Sequence, residues 1–443
     1  MTSSNRFTRR RFLATTAAVS ATVAVAPYVR TSHAAGKLEV GFWDHWVPGA
    51  NDVLTKLCNE WAAKNKVDIK IDYIPSQGKK NLLTIAAEAQ AKSGHDILAH
   101  PTWWPAAQAA NLEPVDDVMK DLIAANGNVS PLIEYLGKHG GHWAGIPATP
   151  GSQIKGPCGR IDLFKQHAGI DLQKMYPAGA PPDKGEMLLV AAEKLFKAGS
   201  PIGIGLGGTT DSVDSMGSLF GAYGAELVDA KGNITVKSDA VKQVLEYMKK
   251  LTQFMQPDVF AWDDGSNNRW IISGKGSMIM NPPSAWAVAK RDNVKIAEQL
   301  WTFPAPSGPK GRVQPYLPYF WGIWKFSKNK TAAKSLLRHI STRTAAEQMV
   351  AASQGYDIPA FAKFNDFKTW AEIGPPPGTL YNYPPKPGQI ISVAAYPAPP
   401  KIAAQIYAQA ISTKLVSKVT QGGESIDKAI GWAESELEGF MRT

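Results

Sequence analysis

Three runs of this sequence place tryptophans and polar residues side by side, immediately after segments that read as strands. Trp43-Asp44-His45-Trp46 follows the apolar stretch Leu38 to Trp43, and His100-Pro101-Thr102-Trp103-Trp104 follows His95 to Ala99. Ser284-Ala285-Trp286 follows the apolar run Ser277 to Met280, and Pro75-Ser76-Gln77 closes VDIKIDYI. An indole offers a flat apolar face and one N–H donor at its edge. Stacked on the C–H face of a sugar ring, with polar neighbours taking the hydroxyls, such a set would bind a small polar solute. Tryptophan is rarely buried completely. Core packing and a ligand-facing role therefore stand side by side for Trp43, Trp46, Trp103, Trp104 and Trp286. Trp61 and Trp270 lie on helical faces and read as core. Trp321 and Trp324 are three apart along a strand pattern, so they face opposite sides and at most one lines a cleft.

Other chemistries find little support. No His-Glu-x-x-His spacing or Cys/His cluster is present, so neither a zinc enzyme nor another resident metal is expected. There is no Gly-x-Ser-x-Gly elbow. Gly203 to Gly208 matches G-x-G-x-x-G but sits mid-chain behind a very short strand, the wrong context for a dinucleotide. It reads as a glycine loop bringing backbone N–H groups towards a ligand at the start of the next helix. Asp263-Asp264-Gly265-Ser266 lacks calcium-loop spacing and reads as a helix-capping turn. No cofactor is expected.

The elements that would carry these residues alternate strand and helix. Strand Leu38–Trp43, a helix over 53–65, the strictly alternating strand Val67–Ile74, a helix over 82–92 and strand His95–Ala99 imply a parallel sheet covered by helices. In such sheets ligands lie beyond the carboxyl ends of the strands, where the tryptophan runs stand. The middle of the chain repeats the theme: a helix over 186–197, strand Ile202–Leu206, a helix over 212–223, a hairpin over 226–236 and an amphipathic helix over 240–254. A strand pattern spans Pro318 to Phe326. Residues 374–400, rich in proline and glycine, read as a surface loop, and helices near 400–420 and 424–441 close the chain.

The 443 residues suit two lobes better than one domain. The net charge of +10 is partly local, because residues 1–34 hold Arg6, Arg9, Arg10, Arg11 and Arg30 and no acid. The rest carries 43 basic against 38 acidic residues, and no basic block with interleaved aromatics points to nucleic acid. Residues 1–34 combine an arginine-rich start, a short apolar run and Ser32-His33-Ala34, the parts of a secretory signal cleaved after Ala34. The order Thr8-Arg9-Arg10-Arg11-Phe12-Leu13 is that of a twin-arginine signal. A periplasmic, monomeric protein follows. Cys58 and Cys158 read as buried free thiols.

Several stretches together resemble the bacterial extracellular solute-binding proteins, in particular the family 1 group that contains the maltose-binding proteins. LEVGFWDHW is similar to the first strand and ligand loop, and SGHDILAHPTWWPAAQAANLEPVDD to the third strand and its helix. WAGIPAT is similar to the crossover strand and WIISGKGSMIMNPPSAW to the methionine strand and its loop. AAKSLLRHISTRTAAEQMVAASQGYDIPAF and ESIDKAIGWAESEL are similar to the later helices. The resemblance implies a periplasmic-binding-protein-like α/β fold, with two lobes around a hinge crossed three times and ligand in the cleft between them. It implies residues 35–148 with 303–352 in one lobe and 149–302 with 353–443 in the other. Carried over by motif, the ligand-binding residues are Trp43, Asp44, Trp46, Gln77, Thr102, Trp103, Trp104, Gln153, Ser284, Trp286, Tyr316, Tyr319 and Trp321. The implied partners are a small solute, with a carbohydrate or polyol the family's commonest, and the membrane permease of an ABC importer. The chain departs from the pattern at Pro101, at Gly159-Arg160 and at Ser284, which argues against a maltodextrin. Asp44 could take a hydroxyl or a cation, and Arg160 an anion. An amine, acid or phosphate-ester ligand, a sensor-coupled binding subunit and a periplasmic enzyme remain as alternatives.

Overall fold

The computed structural model describes residues 35–175, 185–281, 283–379 and 390–442. The signal-peptide reading of residues 1–34 and part of the expected surface loop lie outside the described residues. Gly36 to Thr443 forms one compact unit by its internal contacts.

Its strands are β1 Ala35–Trp43, β2 Val67–Ile74, β3 Ile97–Pro101, β4 Lys138–His139, β5 His142–Trp143 and β6 Ile146–Ile154. They continue as β7 Pro157–Arg160, β8 Ile202–Gly203, β9 Met278–Met280, β10 Leu300–Thr302, β11 Val313–Ile323 and β12 Ile390–Ser392. The first sheet runs β12-β11-β3-β1-β2, with β6 also pairing β11. β1 and β3 are parallel, and helices separate the early strands as the alternating pattern requires. β11 runs antiparallel to β3, Tyr319 opposite Pro101, and antiparallel to β6, Trp321 opposite Ile146. A second sheet runs β10-β7-β9-β8.

The connections between the sheets are short. β6 ends in the first sheet at Ile154, and β7 starts the second at Pro157, so Lys155 and Gly156 make the passage. The chain returns between Thr302 and Val313, and the Phe303 N–H bonds the Pro157 carbonyl at 2.7 Å, tying the two passages together. This is the two-lobed α/β architecture the resemblance implied.

Local sequence accounts for most elements. The helix Ala50–Asn65 buries Leu54, Leu57, Cys58 and Trp61, an i, i+3, i+4, i+7 face. The helix Asp239–Leu251 starts where the Ser238 hydroxyl accepts from the Val241 N–H. Both thiols are free and buried, and burial pushes each up to about 12.

Some boundaries differ from expectation. β11 starts five residues before Pro318 and carries a register shift between Leu317 and Tyr319. Pro318 cannot donate to the ladder, so the strand accommodates it at an irregularity rather than starting there. The expected strand Ile202–Leu206 is only two residues long. The expected hairpin over 226–236 reduces to one bridge, Val228–Ile234, around a turn in which Asp229 accepts from Lys231 and Asn233 N–H groups. The first closing helix is broken at Ala410, which adopts φ 53°, into Pro400–Ala408 and Ile411–Thr420. The segment read as loop contributes the edge strand β12.

Candidate functional site

At the carboxyl end of β1, Trp43 forms the centre of an aromatic group. Its ring stacks near-parallel to Tyr356 at 6.2 Å, lies 5.5 Å from Tyr319 of β11, and meets His45 edge-on at 4.9 Å. His45 Nδ1 accepts from the Val47 N–H, which leaves Nε2 as the protonated nitrogen, donating to Asp357 Oδ1 at 3.0 Å. The same oxygen accepts from the Gly151 N–H at 2.8 Å. This joins the first ligand loop, the crossover strand and the Tyr356-Asp357 turn. Gly151 has φ +89°, and a Cβ there would stand 2.8 Å from Tyr319 and 3.0 Å from Trp43. Only glycine serves at such a position.

Opposite this group lies an ion cluster. Lys155, buried at the passage between the sheets, donates to Asp211 Oδ1 at 2.6 Å and Asp214 Oδ2 at 2.8 Å. Both aspartates stand on the helix Thr210–Tyr223, three residues apart on one face. Asp264 Oδ1 accepts from the Thr210 hydroxyl at 3.1 Å and the Asp211 N–H at 3.3 Å, sitting on the positive end of that helix. Asn267 donates to Asp211 Oδ2. Lys155 thus pairs with two carboxylates, and Asp264 adds a third beside Asp211. Burial opposes the Lys155 charge, but Asp211 and Asp214 outweigh it and hold the ammonium well above its ordinary range. Burial, and then the Asp211 charge, push Asp264 up to about 7.

The aromatic group and the ion cluster lie within electrostatic reach of each other. Tyr319 responds to the charges of Lys155, Asp264 and Asp214, and Tyr407 of the helix Pro400–Ala408 to Asp214, Tyr319 and Asp264. Burial above all raises both phenols, and Tyr356 with them. Lys79, in the turn after β2, donates to the Ala408 carbonyl at 3.0 Å and bridges from the first sheet's loops to the closing helices. Trp43 Nε1 and Gln153 Oε1 are buried without a hydrogen-bond partner among the described residues, while Asp214 Oδ1 and the Tyr407 hydroxyl have only each other. Such atoms are costly in a folded interior and mark places where a polar ligand can bond.

The sequence matches known proteins in two ways. The model of a family described as bacterial extracellular solute-binding protein matches residues 56–374. The chain belongs to this family. No curated protein matches the sequence. Among solved structures, maltose-bound MalE3 of T. maritima is similar with a TM-score of 0.76 at 17% identity, over 91% of this chain and 99% of that one. The GacH receptor of Streptomyces glaucescens has a TM-score of 0.71 at 19% identity, over 92% and 98%. An ABC transporter solute-binding protein from Agrobacterium vitis with bound D-mannitol has a TM-score of 0.68 at 18% identity, over 92% and 98%. At these identities the likeness is one of fold.

In this solute-binding protein the expected site residues fall into groups. Trp43, Gln153 and Tyr319 come together, Gln153 beside the Tyr356 hydroxyl. Trp104 reaches the same place through its edge-on contact with Tyr407 at 5.8 Å. Ser284 accepts from Asn268, next to Asn267 on the cluster's rim. Tyr316 is buried beside Ser152. Thr102 is buried with φ +43°, a costly conformation for a β-branched residue, and its hydroxyl has no partner among the described residues. Trp103 is wholly buried and donates to the Ala394 carbonyl. Trp286 meets Trp301 edge-on, and Trp321 packs on Phe42. Asp44 accepts from Asn51, while Trp46 and Gln77 are half-buried at strand ends. Arg160 is engaged by Asp162 through two hydrogen bonds, so the anion-binding reading loses its cation.

The glycine loop also differs from expectation. A Cβ at Gly203 would stand 2.3 Å from the Trp262 ring, so this glycine makes room for an indole. The N–H groups at the start of the following helix go to Asp264 and to the Thr209 hydroxyl. Sequence reading missed Lys155, Asp214, Asp264 as a ligand group, Tyr356 and Tyr407. Two signals were available: the lone lysine in Gln153-Ile154-Lys155-Gly156-Pro157, and the aspartates spaced by three in an otherwise small and apolar helix.

Proposed function

We propose that this protein captures a small carbohydrate or polyol between its two lobes and delivers it to the permease of an ABC importer. The observation that carries the reading is the pairing of the Trp43–Tyr319–Tyr356 aromatic group with the unpartnered Trp43 Nε1 and Gln153 Oε1 and the nearby buried Asp214–Tyr407 pair. A ring or polyol chain would lie against the indole, and its hydroxyls would bond Gln153, Asp214, Tyr407 and Trp43 Nε1. The solved proteins of the same fold include one with maltose and one with D-mannitol, which supports this class of ligand. The thirteen residues carried over from the family pattern are the wider candidate set, with Trp43, Gln153, Tyr319 and Trp104 foremost.

In the same reading, residues 1–34 are a twin-arginine signal cleaved after Ala34, and the mature monomer works in the periplasm without catalysis. The lobes are 35–148 with 303–352 and 149–302 with 353–443. Ligand touching both sides would favour the closed state by its differential affinity for it. The test is titration calorimetry with maltose, D-mannitol and D-sorbitol, with native mass spectrometry of ligand released from freshly purified protein. A saccharide or polyol that binds, and binds at least tenfold more weakly to W43A, is the expected result. Release of a ligand without hydroxyls, with no response to any of the three probes, would overturn it.

A further inference from the structure

The cleft holds more carboxylate than its own lysine can neutralise. Lys155 divides itself between Asp211 Oδ1 and Asp214 Oδ2, and Asn267 completes Asp211. Asp214 is 1% exposed, and beyond Lys155 its carboxylate has only the Tyr407 hydroxyl beside it. Asp264, 6% exposed, uses Oδ1 on the helix start, and its Oδ2 receives no hydrogen bond among the described residues. Lys79 acts on Asp264 from across the cleft, but its ammonium bonds the Ala408 carbonyl and makes no ion pair among the described residues.

The two carboxylates share neighbours. Tyr319 and Tyr407 each respond to both Asp214 and Asp264. The Tyr407 hydroxyl, on a residue 2% exposed, is aimed into this charge and has only the Asp214 carboxylate beside it. Aromatic faces around an excess of buried negative charge are what an ammonium group requires: charge partners, acceptors for its N–H groups, and ring faces in place of water. A neutral solute would fill the acceptors but bring no charge to hold ionised the Asp264 carboxyl, which burial pushes up to about 7.

Resting on the reading above, we infer that the preferred solute is an amino-bearing polyol or sugar, its hydroxylated body on the Trp43–Tyr356 side and its ammonium between Asp214 and Asp264. The geometry makes this a specificity of the site, separate from its ability to hold hydroxyls.

The experiment is a matched pair, D-sorbitol against 1-amino-1-deoxy-D-sorbitol, titrated calorimetrically into the full mature protein near neutral pH, with maltose alongside. The amine should bind more tightly by about tenfold or more, and that preference should shrink as salt rises. In D264N the preference should fall to about onefold. D214N is the second variant, and circular dichroism establishes that each is folded. Equal or tighter binding of D-sorbitol or maltose by the wild-type protein overturns the inference and leaves the carbohydrate reading standing. Failure of all three probes to bind at about 10 mM overturns the reading on which it rests. A preference for the amine that survives in both folded variants overturns the assignment to Asp214 and Asp264.

Discussion

The two sides of the cleft are built on different physics. On the first-sheet side, Trp43, His45, Tyr319 and Tyr356 are held mainly by ring packing, with the single carboxylate of Asp357 collecting donors from His45 and Gly151. On the other side, Lys155, Asp211, Asp214 and Asp264 are held by charge in a dry setting. A packed wall loses stability in proportion to what is removed. A buried ion cluster loses much of it at once when the ammonium paired to two of its carboxylates goes, because both are then left without an ion pair. In the proposed reading, shape selection would belong to the first side and charge selection to the second.

The comparison is broken most directly at Lys155. Lys155→Met keeps much of the side chain's volume and removes the ammonium. Chemical denaturation should show a loss of about 3–5 kcal/mol, and a variant within about 1 kcal/mol of wild type would remove the distinction between the two sides. Asp264→Asn should have the next effect, and it should depend on pH. The Asp264 carboxyl stands near 7 in the folded chain against 3.8 when unfolded, so the folded state holds this proton more tightly. Its contribution to stability is present below about 4 and is lost as pH rises towards about 7. Asparagine does not titrate. The variant should therefore match wild type near pH 4 and exceed it by about 2–4 kcal/mol above pH 7, in melts followed across that window. A pH-independent difference would contradict the burial of this charge. The smallest effect is expected on the packed side: Gly151→Ala forces a Cβ against Tyr319 and Trp43 at φ +89° and should cost about 1–3 kcal/mol in the same assay.

These two sides also differ in how far the sequence discloses them. The strand-end tryptophans announce the packed side, because an alternating segment followed by Trp-Asp-His-Trp is a local pattern. Trp43, Gln153 and Tyr319 do meet. What the pattern does not tell is which indole points where. Trp103 stands one residue after the strained Thr102, yet it is spent on the Ala394 carbonyl, a contact made across 291 residues. The charged side is almost silent in sequence. Lys155 reaches aspartates 56 and 59 residues away, and each of these groups alone reads as an ordinary polar residue. Asp264 was legible as a helix cap, but the helix it caps starts 54 residues earlier. Helix and strand existence followed from periodicity. Boundaries moved where tertiary bonding decided them, as at Pro318 in β11 and Ala410 between the closing helices.

Lobe closure on a solute is the claim on which the rest depends, and small-angle scattering of the mature protein measures it. Maltose, D-sorbitol and 1-amino-1-deoxy-D-sorbitol are compared with the ligand-free protein stripped by unfolding and refolding. At least one should reduce the radius of gyration, and Trp43→Ala should need roughly tenfold more of that solute to show the same change. Identical dimensions with and without a solute that calorimetry shows to be bound would contradict the account.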